Sequence, residues 1–168
     1  MSDVKNMMGT DAIKKLKELA EGIDICMFCT HLGELPITTR PMSTQEVDEQ
    51  GNIWFFSRVS SNKNQEIKQD DKVQLFYAKI SSSTYLSVFG YADVLVDKEK
   101  IKELWDGVEK AWFTEGKDDP EITLIRIRTQ EAYYWDTKDG AVISLIKMGV
   151  AAITGQEQDQ GVEGTLRP

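Results

Sequence analysis

Apolar residues recur along this chain with two periods, and the alternation between them lays out its elements. Over residues 10–21, Ile13, Leu16 and Ala20 fall at helical spacing, with Thr10 placed to cap the start and Gly22 to stop the end. Residues 23–31 are apolar and β-branched; the turn Leu32-Gly33-Glu34 and the extended run 35–42 complete a predicted β-hairpin. Turn chemistry at Asp48-Glu49-Gln50-Gly51-Asn52 precedes a short aromatic strand over 53–57. The polar stretch 60–71 contains one apolar residue, Ile67, and reads as a loop running into a short helix. A strand over 72–80, a serine turn at 81–83 and a long strand over 84–96 follow, with Gly90 marking a bulge or a close approach.

Ile101, Leu104, Trp105, Val108 and Trp112 then make one face of a predicted helix, which Asp118-Asp119-Pro120 ends. Residues 121–135 carry apolar side chains on both faces, the pattern of a strand inside a barrel or between layers. Ile143, Ile146, Val150 and Ile153 align on a last helix over 141–154, and 155–168 reads as a polar, frayed tail. Six extended segments with helices beside them predict the α+β class, mainly β: an antiparallel barrel covered by helices, in one domain over 10–154.

Composition narrows the setting. The chain has 168 residues, 40% hydrophobic and 29% charged, which suits one folded domain without disulfides or a structural metal. Its 20 basic and 28 acidic residues give a net charge of -8, so nucleic acid and anionic membrane surfaces meet net repulsion and are not expected partners. No apolar run of signal-peptide length begins the chain, and the apolar-rich stretch 141–153 is too short to span a bilayer and contains Lys147. With two cysteines only, the expected location is the cytoplasm.

Candidate chemistry is sparse. Cys26 and Cys29 have the C-x-x-C spacing, but on a strand they point to opposite faces and no second pair completes a zinc site, so both are expected as buried core residues. His31 is the only histidine and sits at a hairpin end, expected as a turn residue without function. No metal site is expected, and no catalytic acid or base is identifiable. Arg40, on a strand just before Pro41, stands out beside Ser57, Ser60, Ser61, Asn62 and Lys63. A guanidinium fork, an ammonium and loop hydroxyls are the usual means of holding a phosphate, although a solvated loop has the same composition.

A set of motifs in order resembles the general stress protein 26 group of the pyridoxamine-phosphate-oxidase-like flavoproteins. It comprises Arg40-Pro-Met, Trp54-Phe-Phe-Ser57, Ser61-Asn-Lys63-x-x-Glu-Ile67, Tyr85-Leu-Ser-Val-x-Gly90-x-Ala92, Trp112-Phe113 with Gly-Lys-Asp-Asp-Pro120, and Ala132-Tyr-Tyr-Trp135-Asp. The resemblance spans about residues 13–153 and implies a six-stranded antiparallel split β-barrel with covering helices. It implies flavin mononucleotide as cofactor, with FAD the alternative. Arg40 and Lys63 would hold the phosphate, Ser57 would lie near the isoalloxazine or ribityl chain, Asn62 would belong to the cofactor site, and backbone around Pro41, Met42 and Phe56 would line the ring. Tyr85 and Trp135 would reach the flavin at the interface of a homodimer. True pyridoxamine-phosphate oxidases also carry a substrate-phosphate grip and an Arg-x-His pair near the C-terminus, which this chain lacks. Three readings stay open: a flavin-dependent oxidoreductase of another substrate, a stress protein that sequesters or senses flavin without turnover, and a structural or interaction domain with an empty groove.

Overall fold

A computed structural model describes residues 3–137 and 161–168. In chain order these form β1 (Asp3–Val4), β2 (Met7–Met8), α1 (Gly9–Ile23), β3 (Ile25–Thr30), β4 (Thr38–Ser43), β5 (Glu46–Val47), β6 (Asn52–Arg58), α2 (Asn62–Gln69), β7 (Lys72–Lys79), β8 (Thr84–Leu95), α3 (Lys98–Leu104), β9 (Ile122–Thr137) and β10 (Gly161–Arg167). The long alternating stretches become the spine of one sheet. β8 pairs antiparallel with β7 on one side and β9 on the other, and its register slips between Phe89 and Gly90, as the glycine predicted. The 23–42 hairpin is present as β3 and β4, paired antiparallel from Ile25↔Ser43 to Thr30↔Thr38.

The fold is mainly β, but the count of six antiparallel strands is too simple. Among the described residues the sheet has ten strands, it is mixed, and it does not close. β9 is long enough to take two partners along one edge: its first half pairs with β6, its second with β10. β10 comes from the segment expected to fray, and β1 and β2 pair parallel to it. Strands of two residues such as β1, β2 and β5 carry no readable period, and β10 has the glycine-rich sequence GVEGTLR, so neighbouring backbone rather than side-chain pattern defines them. β4 ends the sheet path, paired with β3 alone among the described residues.

Two apolar clusters flank β6. Ile53 and Phe55 face the main core with Leu16, Phe28, Leu75, Val88, Ile125, Ile127 and Tyr134, which α1 covers through Ala12, Leu16, Leu19 and Ala20. Trp54 and Phe56 face the other way, toward Ile101, Leu104, Trp105, Phe113, Ile122 and Leu124. Apolar residues on both faces of the 121–135 strand are thus accounted for by a layer on each side.

The expected helix over 101–112 breaks in the middle. Asp97 accepts a hydrogen bond from the Lys100 N–H at 3.0 Å and starts α3 early, while Gly107, with φ of 100°, cannot continue it. Residues Val108–Ala111 form a 3₁₀ turn instead, leaving Val108 65% and Trp112 58% exposed. The helix expected over 141–154 lies outside the described residues. No helix among those described is long and apolar enough to cross a membrane.

Candidate functional site

Where β4 and β6 run past one another unpaired, the sheet leaves a cavity of about 280 Å³. Pro41 and Met42 from β4, Phe56 and Ser57 from β6 and Lys63 from α2 line it, all of them singled out by the sequence. Ser43, Gln45, Arg58, Glu109, Trp112 and Phe113 complete the wall. Phe56 carries the aromatic side, with its ring centroid 6.2 Å from that of Phe113 and 6.1 Å from that of Trp105.

The helix α2 sets the polar side. Asn64 and Ile67, three residues apart, form its buried face, and Lys63 and Glu66 form a second pair at the same spacing. Asn64 anchors the helix to β6: it accepts a hydrogen bond from the Ser57 hydroxyl at 2.7 Å and donates to the Arg58 carbonyl at 2.8 Å and the Thr123 hydroxyl at 3.0 Å. Ser57 therefore faces the cavity with its hydroxyl committed to the helix. Lys63 makes no hydrogen bond or ion pair among the described residues. Partial burial, and then the positive charge of Arg40, hold its ammonium below the usual lysine pKa, with the Glu66 carboxylate opposing them in part.

Arg40 is close to Lys63 but is not a lining residue. Its guanidinium donates to Glu66 at 2.8 Å, to the Thr30 hydroxyl at 2.7 Å and to the Phe28 carbonyl at 3.4 Å. Thr30 in turn donates to the same Glu66 oxygen. Burial pushes the Glu66 carboxyl up, but hydrogen bonds from Thr30 and Arg40 outweigh it and hold Glu66 below the usual carboxylate range. The sequence offered Arg40 as a free fork. The partner it finds lies 26 residues away, and only the fold brings the two together.

Asn62, at the exposed start of α2, does not line the cavity; Asn64 is the buried amide at this site. Tyr85 and Trp135 are register partners across β8 and β9, 37% and 42% exposed, and neither lines the cavity. They belong to a sheet face that also presents Met27, Phe76 and Tyr133, the last with its ring centroid 4.7 Å from that of Trp135. Cys26 and Cys29 are both free and buried, and burial pushes the Cys26 thiol up to about 12, which leaves it inert. His31 has a positive φ of 55° at the hairpin end, with Gln69 3.3 Å from its ring nitrogen. Sequence reasoning missed Arg58 and Glu109 because neither has a local motif, and a turn rather than a helix carries Glu109 to the cavity.

Residues 11–159 match the family model described as pyridoxamine 5'-phosphate oxidase like. Among curated proteins, protein bli-3 of Neurospora crassa is 22% identical over 113 residues, covering 62% of this chain and 54% of the relative, so the chain spans about half of that protein's length. Solved structures share the fold. A candidate general stress protein 26 from Jannaschia sp. CCS1 superposes with a TM-score of 0.79 at 21% identity, over 94% of this chain and 99% of that one. A general stress FMN/FAD binding protein from Xanthomonas citri superposes with a TM-score of 0.64 at 24% identity, over 74% and 87% of the two chains.

Proposed function

Because the chain belongs to the pyridoxamine 5'-phosphate oxidase-like family, we propose that it binds flavin in the cavity between β4 and β6, with the phosphate on Lys63. The observation that carries this reading is the Lys63 ammonium, which lines the cavity with no hydrogen bond or ion pair among the described residues. Arg40, oriented by Glu66 and Thr30, adds positive charge behind Lys63, and Pro41, Met42 and Phe56 offer a surface for the ring. We assign FMN, with FAD the alternative; FMN/FAD binding is the description of the Xanthomonas citri relative. A bound flavin supplies hydride or electron transfer, and the protein supplies position and charge. The chain's own residues bind the phosphate, orient the ring against β4 and β6 and shield it from water.

The functional unit we assign is a homodimer. Cavities that hold a cofactor usually measure about 300–1,000 Å³, and the 280 Å³ here stands at the low end of that range, open to completion by a second copy. The exposed row that includes Met27, Phe76, Tyr85 and Trp135 offers an apolar face for a second copy, which would bring Tyr85 and Trp135 toward the flavin of its partner. The reaction we assign is a flavin-dependent oxidation or reduction of a substrate other than a B6 vitamer. Sequestration or sensing of flavin without turnover is the second reading, supported by the lack in this sequence of the substrate-phosphate grip and the Arg-x-His pair of the true oxidases. A cytoplasmic location and no affinity for nucleic acid go with both.

The visible spectrum of the purified protein tests the proposal. A yellow protein is expected, and Arg40→Ala combined with Lys63→Ala is expected to lose the flavin while keeping the wild-type circular dichroism. A colourless protein that takes up no added FMN or FAD would sink it. Bleaching by reduced nicotinamide and reoxidation by an acceptor would distinguish turnover from storage.

A further inference from the structure

We propose that the Glu109 end of the cavity binds an organic cation, a protonated amine carried on a flat apolar body, as the second ligand of this site. The inference extends the flavin reading to a further ligand and rests on it only for the occupant of the Lys63 end. Glu109 is 4% exposed, yet it lines the cavity. One carboxylate oxygen, Oε2, accepts a hydrogen bond from the Gly107 N–H at 3.0 Å. The other, Oε1, has no hydrogen bond or ion pair among the described residues. A single neutral N–H leaves much of the carboxylate's charge uncompensated, so the side of Glu109 that meets the cavity favours a cation over a neutral donor.

No cation among the described residues pairs with Glu109. The Arg58 guanidinium donates to the Trp112 carbonyl and sits 5.7 Å from the centroid of the Phe113 ring. Lys63 lines the same cavity but forms no ion pair with Glu109, so among the described residues the cavity presents a positive and a negative group that do not pair with each other. The walls around Glu109 are aromatic: Phe56 and Phe113 are tilted by 57° to one another, and Trp112 is exposed beside them. Ring faces attract cations, so the aromatic wall and the buried carboxylate select the same chemistry. The imide N–H of a flavin matches it poorly, since that N–H is flanked by two carbonyl oxygens that would face the carboxylate. A protonated amine brings both the positive charge and the N–H that Oε1 lacks.

Benzylamine and benzyl alcohol, which share their ring and differ in charge, make the test by isothermal titration calorimetry on the whole purified protein at neutral pH. Benzylamine is expected to bind about tenfold or more tightly than the alcohol, and Glu109→Gln is expected to erase that preference. Equal affinity of the two probes for the wild-type protein overturns the inference, whether or not the variant folds; so does a preference that survives in Glu109→Gln. The flavin absorbance of the same sample separates the two proposals. A colourless protein that takes up no added FMN or FAD yet prefers benzylamine refutes the flavin reading alone, and a yellow protein with no preference refutes this inference alone.

Discussion

Lys63 is a residue held at a cost. Desolvation and the neighbouring Arg40 favour its neutral form, and the Glu66 carboxylate, engaged by Arg40, offsets them only in part. Function and stability therefore pull in opposite directions at this position. Lys63→Met keeps the aliphatic stem and removes the charge; it is expected to raise the melting temperature of the flavin-free protein by about 2–4 °C, the shift that about 1 kcal/mol produces in a domain of this size. The sign of its pH dependence follows from linkage. Because the folded-state pKa lies below the unfolded value of 10.5, the unfolded chain holds the proton more tightly, and the wild-type protein gains stability as pH rises through that window. Melting curves at neutral and alkaline pH check this: the advantage of Lys63→Met shrinks as pH approaches the unfolded value. Glu66 is the converse case, a carboxylate satisfied by Arg40 and Thr30, which keeps the guanidinium oriented rather than free.

Among the elements, β10 matters more than its sequence suggests. It pairs with β9 on one side and carries β1 and β2 on the other, so the start and end of the chain meet there. Gly164 allows this. A Cβ at that position would lie 2.1 Å from the Lys5 carbonyl oxygen, and this same oxygen accepts the Tyr134 hydroxyl at 2.9 Å. Gly164→Ala is expected to push residues 3–8 off β10 and to destabilise the protein by about 1–3 kcal/mol, the usual cost of overpacking a close contact. Hydrogen exchange reads the result directly: the amide of Lys5, which donates to the Glu163 carbonyl at 2.7 Å, loses protection while those of β7 and β8 keep theirs. The break after α3 has a similar logic, since Gly107 turns the chain so that Glu109 and Phe113 face β6 rather than continuing a helix past it.

For the molecule as a whole, assembly turns on one sheet face. Met27, Phe76 and Tyr133 fall in one row across β3, β7 and β9, with Ser87 of β8 between them, and Tyr85 and Trp135 lie in the next. A half-exposed aromatic face of this kind is what a second copy would cover. Phe76→Glu puts a charge at its centre and is expected to shift the protein to monomer in sedimentation equilibrium, with flavin retention falling in parallel because the partner's contribution to the site is lost. A monomeric wild-type protein would remove the homodimer from the functional reading.

What the sequence determined by itself is what repeats locally. The alternation in β8 and β9, the hairpin of β3 and β4, the α1 stripe and the polar start of α2 were legible because each is a periodic or turn-bounded signal over a few consecutive residues. The cluster of Pro41, Met42, Phe56, Ser57 and Lys63 was legible in composition and motif order. Tertiary structure decided the rest. It gave β10 its partners, tied Arg40 to Glu66, put Asn64 in place of Asn62 as the buried amide and turned Glu109 into the cavity. Each of these depends on groups far apart in the chain meeting across a sheet edge or a helix end. Such a meeting is fixed by the backbone pairing and packing of the whole, not by the residues on either side.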